Sequence, residues 1–434
     1  MKKPELQFFL ALAILLVATT VAHFRTLSIL HNEPDELVYT FLAIRLAETP
    51  SRYDLQGELR GESATTFLEQ IAGPDLDDRA PKQVGILYYP ADRNGERRPR
   101  FDPSIYDRPI FHHPPAYPLT VSVMQRLFGT SYGVLASIFF HALAIFFTAM
   151  LGRFWMSDRV GLFAGAILAV DGVSWVCAER IWIDSMLQAM VVLSLYAGLV
   201  AGRRGTLVPN VIAGLCLAIA CLTKLPAILV APAIFLSWRD PLVTLNKRVK
   251  ITYLLTAALP VVFWQLRSAR IDGSLIRLSA PTDWMIQNYP FIARMLDRSP
   301  IYYVVALLFA SPLLGFALGA MRKQYRESWM IIPVVWFLTF FVVMSILGVT
   351  SMGFQLRYLA PMIPALCILA AVVLVKVRLP RLVLACALGA YSLHVGLIDA
   401  IVPGSVGPGL PKTFIRFCQD TCGFELPSWF LGIW

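Results

Sequence analysis

Charge is what this sequence has least of. Only 15% of its 434 residues are Asp, Glu, Lys or Arg, against 57% hydrophobic, whereas a soluble chain carries about a quarter charged residues. That scarcity excludes an ordinary soluble enzyme. Apolar runs recur from end to end, as expected of an all-α polytopic membrane protein. Short-period repeats and low-complexity tracts are also missing, and no soluble domain stands apart. Basic residues outnumber acidic ones by 38 to 28, for a net charge of +10. No nucleic-acid motif accompanies that excess, so nucleic acid is set aside as a partner and membrane topology takes first claim on the positive charge.

A convincing leader-cleavage site is a second absence. Met1-Lys2-Lys3 precedes an apolar run over residues 8–22. A secretory signal shares that shape, but no small-x-small cleavage site comes before the next polar residues, which favours a retained first span. Cysteine is sparse, with seven in all. Cys177, Cys216, Cys221, Cys367 and Cys386 lie in apolar runs and read as small hydrophobes. Cys418 and Cys422 sit together in a polar tail. Outside the cytoplasm they suit a small disulfide; a metal site is disfavoured because no second Cys or His pair lies nearby.

Assigning the short basic loops to the cytoplasm predicts about eleven spans. The first covers residues 6–27. A long polar outer segment follows over 31–113, then a short amphipathic run at 112–129. Its two prolines suit a helix start, and it is expected to lie along the outer surface. Further spans fall near 132–154, 160–176 and 185–201. A two-span hairpin covers 208–238, and the rest fall near 251–266, 301–321, 330–350, 359–377 and 382–402. A second polar outer segment covers 267–300, and the tail after 402 is outside.

This topology collects unusual polar residues at one face. Asp35 and Glu36 follow the first span, within a stretch where Asp35 and Tyr39 stand one helical turn apart. Glu179, Arg180 and Asp184 join the third and fourth spans. Lys224 tips the hairpin, and Arg357 precedes the tenth span. Carboxylates beside a membrane span are costly unless solvated, paired or functional. Acids and bases gathered here suit an anionic, lipid-borne substrate. A carboxylate can deprotonate an acceptor hydroxyl or amine, and cations can stabilise a departing phosphate. Each residue also has a plainer reading. The acids after Pro34 suit a helix N-terminus, Arg180–Asp184 is an i,i+4 pair, and Lys224 and Arg357 suit snorkelling to headgroups. Asp171 reads equally as a third acid or as an interhelical hydrogen bond. His141 and His394 read as packing or lipid contact. Trp155, Trp182, Trp238, Trp284, Tyr302 and Trp329 read first as interface anchors. His112, His113 and Glu36 are of ligand type for a divalent cation, although adjacent histidines before prolines more often pack on a surface.

The same residues carry a resemblance. Residues 33–48, EPDELVYTFLAIRLAE, resemble a P-D-E-x-x-Y element with a downstream arginine, here Pro34, Asp35, Glu36, Tyr39 and Arg45. Residues 112–129 resemble a K-P-P-x-Y-P…L-F-G surface helix, and 178–187 the loop bearing a second acid. Residues 221–232 resemble an L-T-K-G hairpin, and 357–366 an R-Y-x-x-P element. In that order they are similar to the GT-C superfamily of polyprenyl-phosphate-sugar-dependent glycosyltransferases. The similar branch is that of protein O-mannosyltransferases and lipid A aminoarabinose transferases. His113 stands where the pattern has Lys, and Leu225 where it has Gly.

The resemblance implies a GT-C fold with juxtamembrane helices on the outer face. Residues 1–240 would be the catalytic module, 241–402 a variable membrane module and 403–434 a short outer tail. It further implies an inverting transferase moving a sugar from a polyprenyl phosphate such as undecaprenyl phosphate to a lipid, polysaccharide or protein acceptor. Asp35 would be the general base and Asp184 a second acid that orients a substrate. Lys224 and Arg357, followed by Tyr358, would meet the donor phosphate. Glu36, Tyr39 and Arg45 would support Asp35, with Glu179 and Arg180 at the same site. A bacterial inner membrane with the site facing the periplasm is expected. A transporter or lipid flippase is the alternative, but the halves do not repeat as transporter halves tend to. A non-catalytic assembly subunit is a third reading.

Overall fold

The structure, a computed structural model, describes residues 3–26, 34–48, 114–129, 132–239, 246–272, 304, 307–323, 328–347 and 356–401. His112, His113, Trp284, Tyr302, Cys418 and Cys422 lie outside the described residues, as do the side chains of Asp35 and Arg45. Among the described residues every regular element is helical. In chain order these are α1 (Lys3–Thr26), α2 (Pro34–Glu48), α3 (Ala116–Phe128), α4 (Leu135–Trp155), α5 (Asp158–Ala169) and α6 (Gly172–Ala178). Next come α7 (Ile183–Arg204), α8 (Leu207–Thr223), α9 (Ala231–Ser237), α10 (Lys247–Asp272), α11 (Phe316–Lys323), α12 (Ile331–Leu347), α13 (Ile363–Leu374) and α14 (Leu379–Ile401). Short 3₁₀ turns precede α9, α11, α12 and α13.

Lipid explains both the helicity and the outward-facing apolar surface. A spanning segment must satisfy its backbone internally, which a helix does. Along α1, Leu6, Leu10, Ile14, Val17, Val21 and Phe24 are exposed, while Phe8 and Leu12 bury against Ala149 of α4. Five described helices are long and apolar enough to cross a membrane, with Glu5–Thr26, Leu135–Trp155 and Ile183–Arg204 among them. The protein is an integral membrane protein. Counted as one broken span, α5 and α6 bring the number to six, and four shorter apolar helices accompany these. The elements are more broken than the uniform spans expected from hydropathy. The expected third span bends by 62° between α5 and α6. Asp171 makes the break: its Oδ2 accepts the Ser174 amide at 2.7 Å as the N-cap of α6, and Ser311 Oγ donates to its Oδ1. Asp171 is thus the interhelical hydrogen-bonding residue of the two readings.

Two ends are distinguishable. Arg153 ends α4 and reaches Asp158 at 2.8 Å, with Glu5 of α1 at 3.9 Å. Arg203, in the last turn of α7, lies over Phe154 at 3.8 Å. Gly205, at φ 63°, closes α7 in the left-handed conformation open to glycine. At the opposite end lie the start of α4, the 179–182 link, the start of α7 and the end of α8. α14 packs back toward that end. A Cβ on Gly396 would fall 2.9 Å from Trp175 Cβ and 3.0 Å from Gly172 Cα, so α6 and α14 cross glycine to glycine.

Candidate active site

Asp184 sits in the first turn of α7, where the helix N-terminus favours a carboxylate. It is 1% exposed. Lys224 leaves the end of α8 in an extended conformation (φ −155°, ψ 128°), which turns its side chain across to α7. Its Nζ stands 3.2 Å from Asp184 Oδ1. From the 3₁₀ turn Leu356–Met362, Arg357 brings Nε within 3.8 Å of Asp184 Oδ2. Aromatic rings wall the two cations. Arg357 lies 4.4 Å from the Trp182 ring centre, and Lys224 Nζ 4.6 Å from that of Tyr358. The carboxylate is sealed, whereas the Lys224 side chain keeps 21% exposure and that of Arg357 13%. Two cations on one carboxylate leave surplus positive charge facing outward, suited to an anionic oxygen.

Beside this trio, Glu36 ties α2 to the link between α6 and α7. Its Oε1 accepts the Ile181 amide at 3.1 Å, and Oε2 lies 3.6 Å from Arg180 Nη1. Both residues are buried. Asp35 precedes Glu36 in the first turn of α2. One turn on, the Tyr39 ring meets Tyr117 of α3 edge to face at 5.2 Å. Tyr117 Oη pairs with Ser137 Oγ at 2.7 Å, and Ser137 donates to the Trp182 carbonyl at 3.4 Å. α3 is a short helix with two distinct sides. Its buried side carries Tyr117, Val121 and Gln125, and Leu119, Val123 and Leu127 are exposed.

Deeper, Glu179 Oε1 stands 2.5 Å from His23 Nδ1 and accepts Thr26 Oγ1 at 2.8 Å. Burial raises the Glu179 carboxyl to about 7, against the opposing pull of the Thr26 hydroxyl and Arg180. Glu179 therefore faces α1, away from the cation pair.

Asp184, Lys224, Arg357 and Tyr358 come together, and Glu36 and Arg180 pair beside them. Trp182 is a correction: it is not an interface anchor but is 1% exposed beneath Arg357. Its place between two site residues, Arg180 and Asp184, was the available signal. His23 was not singled out, although a histidine in an apolar run followed by Thr26 is itself a sign of a buried partner. Gln188 was also missed. It lies one turn after Asp184 and donates to Ser174 Oγ at 2.9 Å and the Ala360 carbonyl at 2.8 Å. Among the described residues no group of three or more His, Cys, Asp or Glu side chains is placed to hold a metal ion.

Comparison with known proteins bears on the fold. Residues 112–265 match the family described as dolichyl-phosphate-mannose-protein mannosyltransferase. That match covers the middle of the chain, and the fold is the one seen in GT-C membrane enzymes. Particular solved structures share its architecture. ArnT from Cupriavidus metallidurans in the apo state is 20% identical, with a TM-score of 0.54 over 93% of this chain and 67% of that one. The same enzyme bound to undecaprenyl phosphate is 18% identical, with a TM-score of 0.55 over 93% of this chain and 68% of that one. A comparison with curated proteins finds no match.

Proposed function

We propose that the protein transfers a sugar from a polyprenyl-phosphate-linked donor to a lipid, polysaccharide or protein acceptor, with inversion at the anomeric carbon. One observation carries the reading: Lys224 and Arg357 converge on the buried Asp184 at the end opposite the arginine-rich loops. An ArnT of the same fold binds undecaprenyl phosphate, which supports a lipid phosphate as the group these cations meet. Asp184 holds both cations in place, and Tyr358 and Trp182 fix their approach. Asp35 is assigned as general base from its place beside Glu36. It takes the acceptor proton as the acceptor attacks the anomeric carbon. The bond from that carbon to the phosphate oxygen breaks, and its electron pair leaves on the phosphate. The Arg153, Arg203 and Arg204 end is assigned to the cytoplasm, which puts the site on the periplasmic face of a bacterial inner membrane.

The test compares a knockout complemented with wild type or with Asp35→Asn at equal expression. Envelope glycolipids, polysaccharide and proteins are profiled by mass spectrometry. A sugar-sized mass found only with wild type is expected. Identical profiles would sink the reading and move a transporter or flippase to the front.

A further inference from the structure

The line of buried groups between α1 and the 179–182 link has a hydrogen count that only one total satisfies. His141 Nε2 faces the Leu168 carbonyl at 3.4 Å, His141 Nδ1 faces His23 Nε2 at 2.9 Å, and His23 Nδ1 faces Glu179 Oε1 at 2.5 Å. Each of these three contacts needs one hydrogen. A carbonyl brings none, and two neutral imidazoles bring two. The third must sit on the Glu179 carboxyl or as an extra proton on one imidazole. Either way the group is uncharged overall, the state that burial favours. Trp175 stacks on His23 at 3.9 Å and holds the ring against a flip, and the His23 and His141 side chains are buried.

We propose that His23, His141 and Glu179 form a proton-binding site whose single shared proton docks α1 onto the 179–182 link, making them positioning residues for the transfer reaction. This rests on the reading above for what is positioned. Arg180 follows Glu179 directly and pairs with Glu36, one residue from the proposed base. When the proton leaves, one of the three contacts loses its hydrogen and a bare carboxylate remains beside Arg180, in competition with Glu36. Arg180 is the charge that acts on Glu179, while Asp184 on α7 is held by Lys224 and Arg357 and Asp171 is committed to Ser174 and Ser311. Arg25 on α1 points outward. Burial that lifts the Glu179 carboxyl to about 7 is consistent with proton retention.

The sign follows from that shift. The folded state keeps a proton that the unfolded chain releases near its ordinary value of 4.5. The contribution of Glu179 to stability is therefore full below 4.5, falls as pH rises toward 7 and then levels. Purified full-length protein in lipid nanodiscs is melted between pH 4.5 and 8, wild type beside Glu179→Gln. The Gln amide supplies the donor permanently, to His23 Nδ1, and offers its second hydrogen to Thr26. The wild-type melting point, minus that of Glu179→Gln, should drop by roughly 5 °C across this range. The donor KM should rise several-fold through pH 7 in wild type and stay flat in the variant. A variant that keeps the wild-type pH slope, or that fails to fold, overturns the proposal, because the amide reproduces the protonated state. The melting arm needs no transfer activity, so its failure is separate from failure of the glycosyltransferase reading.

Discussion

Replacing Gln188 by Leu removes two buried donors while nearly keeping volume. In the native protein its Nε2 joins Ser174 of α6 to the Ala360 carbonyl of the turn that carries Arg357. Gln188 is 1% exposed, so water cannot substitute. Orphaning a buried acceptor costs about 1–3 kcal/mol in a soluble protein. The Ser174 hydroxyl can rotate to another partner, and interhelical hydrogen bonds in membranes average about 0.6 kcal/mol with a maximum near 1.7. The expected loss is therefore about 1–2 kcal/mol, and most of it falls on Ala360. That carbonyl lies three residues from Arg357, so the loosened turn should withdraw Nε from Asp184 and raise the donor KM by about 5-fold to 30-fold. Thermal unfolding in detergent and a transfer assay read the two effects. Should Gln188→Leu match wild type in both melting point and donor KM, the bridge does not hold the turn.

Gly396→Ala brings a methyl to 2.9 Å from Trp175 Cβ and forces α14 from α6. Overpacking of this kind costs about 1–3 kcal/mol, visible in the melting curve; an unchanged melt would refute the close crossing. Asp171→Asn keeps an oxygen for the Ser174 amide and should retain folding and transfer. Asp171→Ala loses the cap and about 1–2 kcal/mol. Loss of transfer in a fully stable Asp171→Asn protein would show instead that Asp171 works in the reaction.

How much of this was legible depends on range. Apolar runs mark helices because a lipid-spanning backbone has few choices, and basic loops separate the two ends. Asp184, Lys224 and Arg357 could be grouped because each stands at a span end on the same predicted face. The break at Asp171 was not legible, since an N-cap inside an apolar run differs from a buried hydrogen bond only through Ser174 and Ser311. His23 and Glu179 are 156 residues apart, and no local period connects them. Gln188 looks like an ordinary helix residue until Ala360, 172 residues away, supplies its acceptor. Trp182 misled because tryptophans near span ends usually sit at the lipid boundary, whereas this one is covered and has Arg357 stacked upon it.

Binding of undecaprenyl phosphate to purified protein tests the account most directly. Wild type is measured beside Lys224→Met and Arg357→Met, each first shown to be folded. A charge-assisted contact contributes about 1.5–3 kcal/mol, so each variant should bind roughly 10-fold to 100-fold more weakly. Wild-type affinity in both folded variants would contradict the assignment of this cation pair to the donor phosphate.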